Sequence, residues 1–136
     1  MTYSEIYDVL LEYVKKEVVV YHKPLGSSLD GFFDAEYGHI VIRNDIRNTK
    51  RGVQTLAHEY THFKDKKDKK FKVFFSYNKT KYTEEKMREV IDAEQSAGRG
   101  AALICKKYGK IYKPEELNPK KLPGLILFWR QFYFYK

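Results

Sequence analysis

The residues best suited to chemistry stand together as His58-Glu59-Tyr60-Thr61-His62, inside the run TLAHEYTHFKD. Two histidines at i and i+4 of a helix project from one side and can hold a single zinc ion. The glutamate between them then reaches a metal-bound water whose pKa the ion has lowered; it can take that proton and pass it to a leaving amine. This is peptide-bond hydrolysis chemistry with Glu59 as the base. The pattern fixes only three positions, so the rival reading is two ordinary histidines on a helix surface or in a core. Helical arithmetic separates the two. At about 100° per residue, Val53, Leu56, Ala57, Tyr60 and Phe63 form an apolar stripe, while Thr55, His58, Glu59 and His62 fall on roughly the opposite side. Core histidines would share the stripe.

A catalytic zinc ion usually has three protein ligands and one open position. No histidine follows His62, which excludes the extended motif with a third histidine. Asp68 occupies that last position, but Asp65 stands where the turn needs glycine, and KDKKDKKFK reads as a solvated charged segment. A later helix, expected from Thr83 through Tyr108 to a stop at Gly109, offers Glu89, Asp92 and Glu94. Its apolar stripe is Met87, Val90, Ile91, Ala97, Gly98, Ala101, Cys105 and Tyr108; Glu94 lies near the centre, with Glu89 and Asp92 on the polar side. A carboxylate within a buried stripe needs a cation, either a metal or a core-facing Arg or Lys. Ala97, Gly98 and Ala101 would let this helix approach the histidine helix closely. Gly98 and Gly100 each cost about 1 kcal/mol of helix stability relative to alanine, which close packing would offset. The reading is one zinc ion on His58, His62 and Glu94 with Glu59 as base, and Glu89 or Asp92 as the alternative third ligand.

The elements that must position these residues follow from periodicity. Thr2 and Glu5 have capping-box spacing, and Tyr3, Ile6, Tyr7, Leu10, Tyr13 and Val14 continue a helix to about Lys16. Val18 to Tyr21, Gly31 to Ala35 and His39 to Arg43 read as strands of a small antiparallel sheet, with turn residues from Pro24 to Ser28. In a zincin, the kind of fold that the H-E-x-x-H helix resembles, Ile40 to Arg43 would be the expected edge, to which an extended substrate backbone could add. A second helix is expected from Thr49 to Lys64, then an aromatic segment Val73 to Tyr77 as strand or packed loop. Pro114, Pro119 and Pro123 precede an aromatic helix from Leu125 to Tyr135, which packs on the core or offers a partner or dimer surface. The fold class is α+β, with a core over 1–108 and an extension over 109–136.

Composition sets the outer bounds. The chain has 136 residues, 43% of them hydrophobic, enough for one folded domain and too apolar for a disordered chain. Glu5, Asp8 and Glu12 interrupt what a signal peptide would keep apolar, and the longest apolar run, Leu122 to Trp129, is too short to span a bilayer. One cysteine, Cys105, excludes a disulfide framework and reads as a buried small hydrophobe. A soluble, cytoplasmic protein is expected. The net charge of +8 admits nucleic acid as a secondary partner, but Lys64 to Lys72 reads first as a solvated loop. His39 is weighed as an oxyanion donor against a structural role, the commoner one, and His22 has no assigned role.

The chain resembles the ImmA/IrrE metallopeptidases of bacteria, phages and mobile elements. The matching residues, in family order, are Asp30-Gly31-Phe32-Phe33, Gly38-His39-Ile40-Val41-Ile42, Thr55 to His62, and Glu94 with Ala97. Gly98-Arg99-Gly100 depart from the usual run after the glutamate. The resemblance covers about residues 1–108 and implies a minimal zincin-like fold: a helix, a small sheet, the H-E-x-x-H helix and a glutamate-bearing helix. It maps His58, His62 and Glu94 to the zinc ligands and Glu59 to the catalytic glutamate. It also implies a protein substrate, a helix-turn-helix repressor. The competing classes are a zincin-fold sensor without turnover and a DNA-associated factor of a mobile element. Elemental analysis distinguishes the third ligand: Glu94→Ala should lose zinc and Glu89→Ala should keep it, and the reverse result overturns the assignment.

Overall fold

The computed structural model describes residues 2–26, 29–71 and 84–107. The element order is α1 (Tyr3–Lys15), β1 (Val19–Lys23), β2 (Gly31–Asp34), β3 (His39–Arg43), α2 (Lys50–Lys67) and α3 (Glu84–Lys107). This is an α+β arrangement of three helices and one three-stranded sheet among the described residues. The segments Val73 to Tyr77 and Leu125 to Tyr135, the expected start at Thr83 and stop at Gly109, and the extension 109–136 lie outside them.

Helix α1 starts on the expected capping box: Thr2 Oγ1 accepts from the Glu5 N–H at 3.1 Å, and Glu5 Oε1 accepts from the Thr2 N–H at 3.3 Å. It buries Ile6, Tyr7, Leu10, Leu11 and Val14. Leu11 joins this face in place of Tyr13, which is exposed.

The sheet corrects two expectations. Its order is β1-β3-β2, so the sheet is mixed: β1 runs parallel to β3 and β2 antiparallel to it. The strand expected at the edge, Ile40 to Arg43, therefore lies in the middle, and β1 and β2 are the edges among the described residues. The reason is legible in β3 itself. Ile40, Val41 and Ile42 are three consecutive apolar residues and all are buried, and a strand covered on both faces reads as a continuous run instead of an alternation. A tight turn joins β2 to β3. Asp34 Oδ1 accepts from the Glu36 and Tyr37 N–H groups, and Gly38 adopts φ +72, a conformation that glycine enters without a Cβ penalty.

Ile40 and Ile42 face the helices and join Ile6, Leu10, Val14, Val53, Leu56 and Ala57 in one core. Helix α2 begins at an N-cap, Thr49, whose Oγ1 accepts from the Gly52 N–H at 3.1 Å and donates to the Ile46 carbonyl at 2.7 Å. Gly52 is required there: a Cβ would stand 1.9 Å from the Ile46 carbonyl oxygen, whereas nothing lies within 4 Å of a Cβ at Gly98. Chemical denaturation of the two alanine variants should therefore diverge. Gly52→Ala is expected to lose about 2–4 kcal/mol, and Gly98→Ala to gain up to about 1 kcal/mol; equal effects would contradict the packing at Ile46.

Candidate metal centre

The apolar stripe of α2 faces inward as its spacing requires: Val53, Leu56, Ala57 and Tyr60 are buried. Phe63 at its end is half-buried, with its ring against those of Phe33 and Tyr60. The opposite side meets α3, which buries Val90, Ala93, Ala97, Ala101 and Cys105. Ala93 belongs to this face although the sequence stripe omits it. The close approach differs from expectation as well. Gly98 stands clear, while a Cβ at Gly100 would meet the Thr61 side chain at 2.4 Å, so Gly100 is the glycine that lets the helices touch.

Where α3 crosses α2, the side chains of His58, His62 and Glu94 converge, and their ligand atoms all lie within 4.8 Å of one another. Glu94 Oε2 is 2.9 Å from His58 Nε2, and its Oε1 is 3.0 Å from His62 Nε2. The imidazoles meet edge to face, with ring centroids 4.8 Å apart. This is the only such donor group among the described residues. With ligand bonds of about 2.0–2.1 Å, neighbouring donors of a tetrahedral ion stand roughly 3.3 Å apart, close to two of the separations found here. Two imidazoles and one carboxylate suit a divalent transition metal, so the residues present can hold one ion.

The electrostatics are those of three mutually interacting groups, of which His62 is buried and His58 and Glu94 are half-buried. Burial alone would raise the Glu94 carboxyl, but His62 and His58 and their hydrogen bonds reverse this and hold it well below the usual carboxylate range. Burial alone would lower the His62 imidazole; Glu94, with Glu59 and Asp65, instead pushes it up to about 9. His58 is the more exposed imidazole, 28% against 10% for His62, and marks the side open to solvent.

Glu59 is buried, and burial pushes its carboxyl above the usual range against the opposing pull of His62, His58 and the Phe33 backbone N–H. That N–H belongs to β2, so the edge strand lies directly beside Glu59. Gly31, two residues earlier in β2, makes the approach possible: a Cβ there would stand 2.8 Å from the Val41 carbonyl oxygen and 2.9 Å from the Thr55 methyl.

The other candidates fall elsewhere. Asp92 is exposed; Glu89 is half-buried, not fully polar-facing, and its Oε2 is buried with no hydrogen-bond partner among the described residues. Neither joins the donor group. Asp68 is the exposed C-cap of α2. The charged run is corrected in part: α2 continues through it to Lys67, and Asp65 is buried instead of solvated. Lys66, Lys67, Asp68, Lys69 and Lys70 are exposed as expected. His39 lies between the rings of Tyr21 and Tyr37, outside the donor group. His22 Nε2 sits 2.6 Å from Tyr7 Oη, a structural contact. Cys105 is a buried core thiol. Sequence reasoning missed the Asp65 contact with α3, because lysines on both sides made that aspartate look solvated.

Comparison of the chain with protein-family models, with curated proteins and with solved structures finds no match. No helix among the described residues is long and apolar enough to cross a membrane.

The pH dependence of protein stripped of metal with a chelator follows from the two shifted partners. His62, raised in the folded state, contributes stability that is full below its unfolded value of about 6.5 and is lost as pH rises through about 9. Glu94, depressed in the folded state, contributes stability that is present above its unfolded value and lost only in strong acid. The Tm of stripped protein should accordingly fall between pH 6.5 and 9, and Glu94→Gln should flatten that fall. A flat wild-type profile would show that the ion pair does not form.

Proposed function

We propose that the chain is a zinc-dependent endopeptidase that hydrolyses a peptide bond in a regulatory protein, with a helix-turn-helix repressor of a phage or mobile element as the substrate class. The observation that carries this reading is the position of Glu59, a buried carboxyl one residue from His58 and beside an edge strand, next to a trio that can hold one ion. His58, His62 and Glu94 would hold zinc, which when bound polarises the scissile carbonyl and acidifies water at its open position. The resemblance of the H-E-x-x-H and glutamate segments to ImmA/IrrE metallopeptidases supports the same assignment and supplies the repressor as substrate.

Glu59 serves as general base and then general acid. A base works best when its pKa lies near the operating pH, and burial moves this carboxyl in that direction. Its carboxylate oxygen takes a proton from the attacking water and later donates it to the leaving amine nitrogen. The Phe33 N–H holds that carboxylate in place, which leaves it little rotational freedom. Substrate enters on the His58 side, the exposed one. The edge available to an extended backbone beside Glu59 is β2, and main-chain pairing there would carry a peptide past the carboxylate. With its side chains pointing to alternate faces, such a peptide would be read at every second residue.

The test is Glu59→Gln, which keeps the shape of the side chain and removes the proton carrier. It should bind zinc with wild-type stoichiometry, and its turnover of a peptide or repressor substrate should fall by about 10²–10⁴-fold. A Glu59→Gln protein that relieves its target as well as wild type would establish a binding or sensor protein in place of the peptidase.

A further inference from the structure

One buried polar network takes no part in that chemistry. Asp65 and Ser96 are 7% and 5% exposed. Ser96 Oγ donates to Asp65 Oδ2 at 2.8 Å, and Lys70 Nζ donates to Ser96 Oγ at 3.0 Å. The backbone after α2 brings the lysine into place. Lys69 adopts φ +54, the Lys70 N–H returns to the Asp65 carbonyl at 2.9 Å, and the Lys69 N–H returns to the Lys66 carbonyl at 3.0 Å. This pair of bonds is a helix-ending motif normally built on glycine at the left-handed position. A lysine there is held against the steric preference of residues with a Cβ, and the reversal turns Lys70 back onto the flank of α3.

The placement matters because Ser96 lies two residues beyond Glu94 and Asp65 three beyond His62. The network thus joins the two helices that carry the three donors, next to the donors themselves. A buried carboxylate tied to one hydroxyl is a poor source of stability compared with an apolar pair of similar volume, so its value here is geometric. We infer that Asp65, Ser96 and Lys70 form a latch that fixes α3 on the C-terminal part of α2 and thereby sets the distance from the Glu94 carboxylate to His58 and His62. These are positioning residues. The inference rests on the metal-centre reading and adds to it the part of the chain that keeps the donors in register. Groups that orient metal ligands from outside typically change metal affinity by about 10–100-fold.

Three variants test it, with Zn²⁺ affinity measured by competition against a chromophoric chelator, the visible spectrum of the Co²⁺-loaded protein, and amide hydrogen exchange along α3 in stripped protein. Ser96→Ala and Asp65→Ala should each weaken zinc binding by about 10-fold or more, shift the cobalt bands and speed exchange in α3. Asp65→Asn keeps an acceptor for the Ser96 hydroxyl and removes the charge, so it should hold the wild-type cobalt spectrum. Ser96→Ala with wild-type affinity and cobalt spectrum overturns the latch, even if its Tm is lower. Asp65→Asn behaving as Asp65→Ala also overturns it, because Asp65 would then act on His62 through charge alone. Should wild type bind neither ion, the metal reading fails and exchange decides the latch: faster exchange confined to α3 in Ser96→Ala supports it, and unchanged exchange overturns it.

Discussion

A carboxylate largely withdrawn from solvent between two imidazoles is the constraint on which the rest of this structure depends. Glu94 is only 12% exposed at its side chain, and a lone charge so placed would be prohibitively expensive. It is tolerable because α3 meets α2 where His58 and His62 project, and it stays tolerable only while the helices remain in contact. The small residues follow from that requirement. Ala97 and Ala101 line the contact and Gly100 accepts the Thr61 side chain, so the helix that carries the acid is also the helix with the least bulk on its inner face. Packing and charge here are one condition seen from two sides.

Much of this arrangement was legible in the chain, and the reasons differ by element. The capping box at Thr2 and Glu5 is a local device, and local devices survive folding. The convergence of His58, His62 and Glu94 was also accessible, because a stripe with an acid at its centre demands a partner and the histidine side of α2 was the available one. What local pattern does not carry is which strand lies beside which. The run from His39 to Arg43 reads as a strand from its β-branched residues, and its three consecutive apolar residues mark a strand covered on both faces. The edge expectation came with the zincin resemblance and the antiparallel one from short strands joined by turns, and neither fixes the order β1-β3-β2.

The errors at Asp65 and Gly98 share a different origin. Both were assigned from the chemistry of their neighbours: lysines around the aspartate, small residues around the glycine. Burial on a helix is set by angle, and one residue of rotation separates a solvated position from an interfacial one. Asp65 lies seven residues after His58, two turns along the same face, and that interval was the available signal that it, too, would meet α3.

The separation of 36 positions between His58 and Glu94 has a consequence for the chain as a polymer. His58 and His62 are neighbours on one turn and are brought together by local structure; Glu94 reaches them only when a long loop closes, at an entropic expense that grows slowly with its length. An ion seated between the three would be a covalent-like staple across that loop, restricting the unfolded chain much as a disulfide does. With Cys105 alone and buried, this chain cannot form such a bond within itself. A metal cross-link would be its substitute, and one that can be removed and restored without breaking a covalent bond.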